Sequence, residues 1–210
     1  MRRVERAAWD VVVRCMRSEG RTALPIPVPV ERWVEGPLGV RLAVTDFGDA
    51  EDIILGAAFT RANEIRINES LSDHEERWRF TLAHELGHLV LHGKVADEFR
   101  DGARLEELVE ARVEREANRF AGALLAPLPA LTALLGEELP DGNRPITTVA
   151  AMEGPDAARA ASRVKSMVVP ALAKRLCMSR SAVVLRLVDL RFPGGRPVVP
   201  VALVPELLRG

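Results

Sequence analysis

The sequence predicts an α+β fold: a small twisted, mostly antiparallel sheet packed on two long helices, with a helix-turn-helix-like segment at the C-terminus. Three observations lead there. A proline-free run from Ser72 to Gly93 carries histidines four residues apart, on one face of a helix. A second run, from about Arg104 to Ala126, keeps apolar residues at helical spacing and stops at Pro127. Upstream of both, three short β-prone stretches are separated by turn residues.

Taken in order, residues 4 to 19 form a helix, with Val4, Ala7, Ala8, Val11, Val12 and Cys15 on one face and Gly20 beyond its end. Leu24 to Val30 holds three prolines and is a connector. A short helical turn follows around Glu31 to Glu35. Val40–Val44, Asp52–Thr60 and Ile65–Asn68 are the strands, the last two joined by a turn at Arg61–Glu64. Ser72 and Glu75 have capping-box spacing for the start of the next helix, and Gly93 suits its end.

That helix contains His84-Glu85-Leu86-Gly87-His88. Two imidazoles four residues apart can reach one metal ion, at about 2.0–2.1 Å per nitrogen for zinc. Glu85 follows the first histidine, beside the place of a metal-bound water, whose pKa zinc lowers to ~7. The plainer reading is an amphipathic helix that happens to carry histidines. Against it, all four histidines of the chain (His74, His84, His88 and His92) lie within nineteen residues. A catalytic zinc usually takes a third protein ligand. A further histidine six residues after His88 is one common solution, but position 94 is lysine. His92, one turn on, reads as a group supporting a ligand from behind. The second helix offers Glu110 and Glu114 near its apolar face, which spacing does not separate, while Glu116 turns towards water. Asn118 is placed to hydrogen-bond a ligand.

The stretches Arg79–His92, Glu114–Ala121, Leu124–Pro127 and Ile65–Asn68 together resemble the ImmA/IrrE family of metallo-endopeptidases. The likeness covers about residues 56 to 127. It implies a zincin-like core in which His84, His88 and Glu114 bind zinc, or alternatively manganese, and Glu85 is the general base. It also implies a protein substrate, typically a helix-turn-helix transcriptional repressor in stress response or mobile-element regulation.

Gly56-Ala57-Ala58 is small-residue backbone inside a strand. It reads either as tight packing or as an edge that holds an extended substrate peptide. Residues 94 to 141 carry a net charge of −5 (6 basic against 11 acidic), and residues 157 to 197 carry +8 (9 against 1). The Gly-, Pro- and charge-rich stretch between them is a connection or lid. The expected division is therefore a catalytic core over 1–136, a linker over 137–166 and a helix-turn-helix-like segment over 167–210.

In that last segment, helices meet around Cys177–Ser179, with Ser179 or Ser181 as the cap. Similar segments follow the core in many members of the family it resembles. Its basic setting favours phosphate, yet Arg180, Ser181, Val184 and Leu185 are a poor set for reading base edges. Packing or substrate docking is thus expected over DNA reading, and a DNA-binding regulator or toxin-antitoxin component with a structural or vestigial metal site is the alternative function. The chain has no tyrosine, so an oxyanion donor must be a strand N–H or a cation such as Arg186, which resembles an arginine common in the family. The segment 198–204 is β-prone but broken by prolines. Net charge of −1 names no partner. Two distant cysteines, no apolar run that spans a membrane and no signal peptide point to a cytoplasmic protein.

Overall fold

The computed structural model describes residues 3–48, 54–93, 98–100, 107–138, 162 and 164–190. Two compact units result, Met1–Leu125 and Ala126–Gly210. Most of the expected linker over 137–166 and the tail over 198–204 lie outside the described residues.

The first unit begins with α1 (Arg3–Ser18), which buries Ala8, Val11, Val12 and Cys15, four positions of the face expected from the sequence. Gly20, at φ +63°, ends it in the left-handed region that glycine enters at no steric cost. After the proline-rich connector comes α2 (Val30–Glu35), which buries Val30, Trp33 and Val34. The strands β1 (Arg41–Thr45), β2 (Gly56–Phe59) and β3 (Glu64–Asn68) follow, then α3 (Glu75–His92), β4 (Glu98–Arg100) and α4 (Glu107–Leu125).

The four strands form one mixed sheet in the order β1-β3-β2-β4. β2 pairs antiparallel with β3 and with β4, whereas β1 runs parallel to β3. The sheet is thus mostly antiparallel, as expected, with the β1–β3 pairing the parallel exception. Asn63 explains the arrangement. It sits at φ +48° in the β2–β3 turn, a conformation asparagine tolerates better than most residues. From there its Nδ2 donates to Gly39 O (2.8 Å) and its carbonyl accepts from Arg41 N (2.9 Å), so β1 starts level with β3. β4 is a strand that sequence patterning missed: three residues, two of them charged, give no alternation to read.

Ser72 does not cap α3. A 3-10 turn over Glu69–Leu71, capped by Asn68 Oδ1 accepting from Ser70 N, takes Ser72 N as the partner of Glu69 O. α3 therefore starts at Glu75 behind His74 with no side-chain cap. The helix is buried without a break from Thr81 to His88, because it packs on the sheet, on α4 and on α1. Arg79, 4% exposed, is held by both oxygens of Glu31 at 2.9 Å and donates to Val28 O at 2.6 Å, tying α3 to α2.

Close approach of α3 and α4 depends on Gly87. A Cβ there would lie 3.2 Å from Ala117 Cα and 3.1 Å from Phe120 Cδ1, so only glycine lets the helices come this near. α4 buries Val113, Ala117, Phe120, Ala121 and Leu124 on its inner face.

The second unit opens with α5 (Leu128–Glu138), which buries Ala130, Leu131, Leu134 and Leu135. A π-helical turn over Val164–Val168 leads into α6 (Val169–Leu176), and α7 (Arg180–Asp189) follows a three-residue turn. Cys177 closes α6 in the left-handed region, and Ser179 rather than Ser181 caps α7, its Oγ accepting from Ala182 N at 3.2 Å. Leu172, Leu176, Met178, Val183 and Leu187 are buried in this unit. Among the described residues no single helix is long and apolar enough to cross a membrane.

Candidate metal centre

The four-residue spacing stacks His84 and His88 on one face of α3, with ring centroids 4.7 Å apart and planes at 71°. Their Nε2 atoms face each other at 3.0 Å. α4 brings Glu114 against them: Oε2 lies 3.2 Å from His84 Nε2, and Oε1 lies 3.3 Å from His88 Nε2. One ligand atom from each of the three residues falls within 4.8 Å of the others.

Electrostatics at Glu114 are set by opposing effects. Burial raises its pKa, but hydrogen bonds from His84 and His88 outweigh burial and bring it down to about 2. The carboxylate is therefore charged throughout the neutral range.

Both rings are oriented from behind. His84 Nδ1 lies 3.1 Å from Asn118 Oδ1, and as its donor leaves the lone pair on Nε2 directed at Glu114. His88 Nδ1 lies 3.3 Å from His92 Nδ1. His92 is 2% exposed; burial lowers its pKa more than Glu116 raises it. Two imidazole Nε2 atoms and a carboxylate turned towards one another repel unless a proton or a metal cation lies between them. A divalent cation with nitrogen and oxygen preference fits that donor set.

Glu85 is 1% exposed and lies against β2: a Cβ on Gly56 would be 2.8 Å from Glu85 Oε1 and 2.8 Å from Thr81 Cγ2. The glycine makes the room in which this carboxylate sits.

Two expectations are corrected here. Gly56-Ala57-Ala58 reads from sequence either as tight packing or as a free sheet edge, and the edge reading is overturned because β2 is an inner strand. β3 pairs with all three, and β4 pairs with Ala57 and Ala58 from the other side, so the backbone groups of Ala57 and Ala58 face strands on both sides. Glu116 was expected in water, yet its side chain is 17% exposed and its Oε2 lies 3.3 Å from His92 Nε2. The only sequence signal for that contact was the need of a buried His92 for an acceptor. Arg186 is 3% exposed in the second unit, and its Nε donates to Ala126 O at 3.0 Å.

Comparison with known proteins agrees with the geometry. A model of the family described as IrrE N-terminal-like domain matches residues 38–188. The radiation response metalloprotease IrrE of Deinococcus radiodurans is 37% identical over 94 residues, covering 42% of this chain and 26% of that protein. A Mycobacterium tuberculosis transcriptional regulator shares the fold with a TM-score of 0.51 at 17% identity, over 92% of this chain and 53% of that one. The chain thus spans about a quarter of the length of the curated relative and about half of the solved structure. With most of its length matched and the donors of a metal centre assembled on α3 and α4, the chain belongs to the ImmA/IrrE family of metallopeptidases.

Proposed function

We propose that this chain is a zinc-dependent endopeptidase that hydrolyses a peptide bond in a protein substrate. The single observation that carries the reading is the meeting of His84, His88 and Glu114, with Glu85 buried beside them. The three residues are the proposed metal ligands. Zinc, or manganese in its place, would supply Lewis acidity there, polarising the scissile carbonyl and making water more acidic.

The rest is the work of this chain's own side chains. Glu85, wedged against Gly56, takes a proton from the attacking water on a carboxylate oxygen and returns it to the nitrogen of the leaving amine. Asn118 holds His84 in the tautomer that offers Nε2. Charge developing on the carbonyl oxygen falls to a cation or a strand N–H, as no tyrosine exists in the chain.

The proposed substrate is a helix-turn-helix repressor, from the family resemblance. The proposed organisation is a core over 1–136, a connection over 137–166 and a helix-turn-helix-like segment over 167–210 that packs or docks substrate. A DNA-binding regulator is the second reading, favoured by the α6–turn–α7 layout. Burial counts against it: Val184 is 4% exposed, which leaves Arg180 and Ser181 as the polar groups at the exposed start of α7.

The test is to incubate the zinc-loaded chain with the helix-turn-helix regulator encoded beside it and map fragments by mass spectrometry. Cleavage that a chelator stops, and that Glu85→Gln loses while keeping bound zinc, is the expected result. Cleavage indifferent to chelator, or a Glu85→Gln variant as active as wild type, overturns the mechanism.

A further inference from the structure

Behind His88 the structure continues the metal centre in one row. His88 Nδ1 lies 3.3 Å from His92 Nδ1, and His92 Nε2 lies 3.3 Å from Glu116 Oε2. Glu116 is itself gripped from two elements: Arg112, one turn back on α4, reaches Oε1 at 3.2 Å, and Arg3 of α1 pairs with Oε2. Hydrogen-bond chemistry gives the row a direction. An ionised carboxylate only accepts, so His92 donates Nε2–H to Glu116. A neutral imidazole that donates at Nε2 accepts at Nδ1, so His88 donates Nδ1–H to His92. His88 is then left with its Nε2 lone pair aimed at Glu114, the form a ligand needs.

We infer that Glu116 is a positioning residue for the metal centre, acting through His92 to fix the tautomer and ring plane of His88, with Arg3 and Arg112 holding its carboxylate in place. The two imidazoles are supported unequally: His84 by the neutral amide of Asn118, His88 by a row that ends on a carboxylate clamped by two guanidinium groups. Arg3 makes the N-terminal helix part of that support. The inference rests on the reading of His84, His88 and Glu114 as a metal site.

The experiment uses the full chain with ring-¹⁵N-labelled histidine. Four histidines give four imidazole spin systems, few enough to assign. In the zinc-loaded wild type, His92 is expected as the Nε2–H tautomer with Nδ1 accepting; a His92 protonated on Nδ1 instead overturns the relay without any variant. Zinc affinity is then measured by competition with a chromophoric chelator. Glu116→Ala is expected to bind zinc 10–100-fold more weakly and to lose the fixed His92 tautomer. Glu116→Gln, which keeps an acceptor oxygen, is expected to stay within a few-fold of wild type and retain the tautomer. If Glu116→Ala lowers the melting temperature of the zinc-free protein but leaves zinc affinity unchanged, Glu116 is structural only and the inference fails. A wild type that binds no zinc would instead overturn the metal-site reading itself.

Discussion

Gly56 and Glu85 are in such close contact that a single methyl group on the glycine would lie 2.8 Å from Glu85 Oε1. Strand β2 and helix α3 therefore set the carboxylate jointly. Gly56→Ala forces either the strand or the buried Glu85 to shift, while His84, His88 and Glu114 lie elsewhere. A displacement of about 1 Å in a reacting group can cost roughly 100-fold in rate. The expected outcome is a fall in kcat of that order, with zinc content by elemental analysis still near that of wild type.

Gly87→Ala acts on the other side of α3. The added Cβ meets Ala117 backbone atoms at 3.2 and 3.3 Å, and backbone in a packed helix yields little. Overpacking costs about 1–3 kcal/mol, offset by a gain of up to about 1 kcal/mol in helix propensity. A net loss of about 1 kcal/mol in urea unfolding is expected. Because α4 carries Glu114, zinc affinity should fall with it; a variant with unchanged affinity would show that the helices can part without moving the carboxylate.

Arg79→Lys tests the link between α2 and α3. The guanidinium reaches both oxygens of Glu31 and the carbonyl of Val28 at once, a fork that an ammonium cannot reproduce. Glu31 is partly solvated, its side chain 37% exposed, so the cost is well below that of a fully buried pair. A loss of about 1–2 kcal/mol in chemical denaturation is expected, with Arg79→Ala losing more.

Cys15 should be chemically silent in the native state. Its side chain is fully buried, and burial pushes its thiol from 9.0 up to about 11, despite the opposing effect of Arg14. A thiol reagent at pH 8 is expected to label Cys177 well before Cys15. The raised value also fixes a sign: folding holds the proton, so this contribution to stability is intact below pH 9 and is lost as pH rises from 9 towards 11. Denaturant midpoints measured across that window should fall less steeply in Cys15→Ala, relative to its own value at pH 7.

Much of helix α3 was legible in the sequence, because a four-residue spacing has one meaning on a helix and His84 and His88 needed no tertiary information. Glu114 was different. Glu110 and Glu114 share the same stretch of helix, and family likeness separated them where periodicity could not. Glu116 was misjudged because a helical wheel sees only its own helix; its partners His92 and Arg3 arrive from α3 and α1. The sheet was read strand by strand but not in order. Its parallel pairing depends on one asparagine bridging Gly39 and Arg41, and its fourth strand is too short and too charged to announce itself.

The histidines of α3 stand in a column, with Asn118 and Glu114 of α4 meeting His84, Glu114 meeting His88 and Glu116 meeting His92. An α-helix advances by about 100° per residue. Inserting or deleting one residue between His84 and His88 would swing the later rings a quarter-turn or more around the axis, away from every partner named above. The stretch should therefore tolerate exchange of side chains far better than any change of length, and a library of single-residue indels across it should yield no zinc-binding survivors.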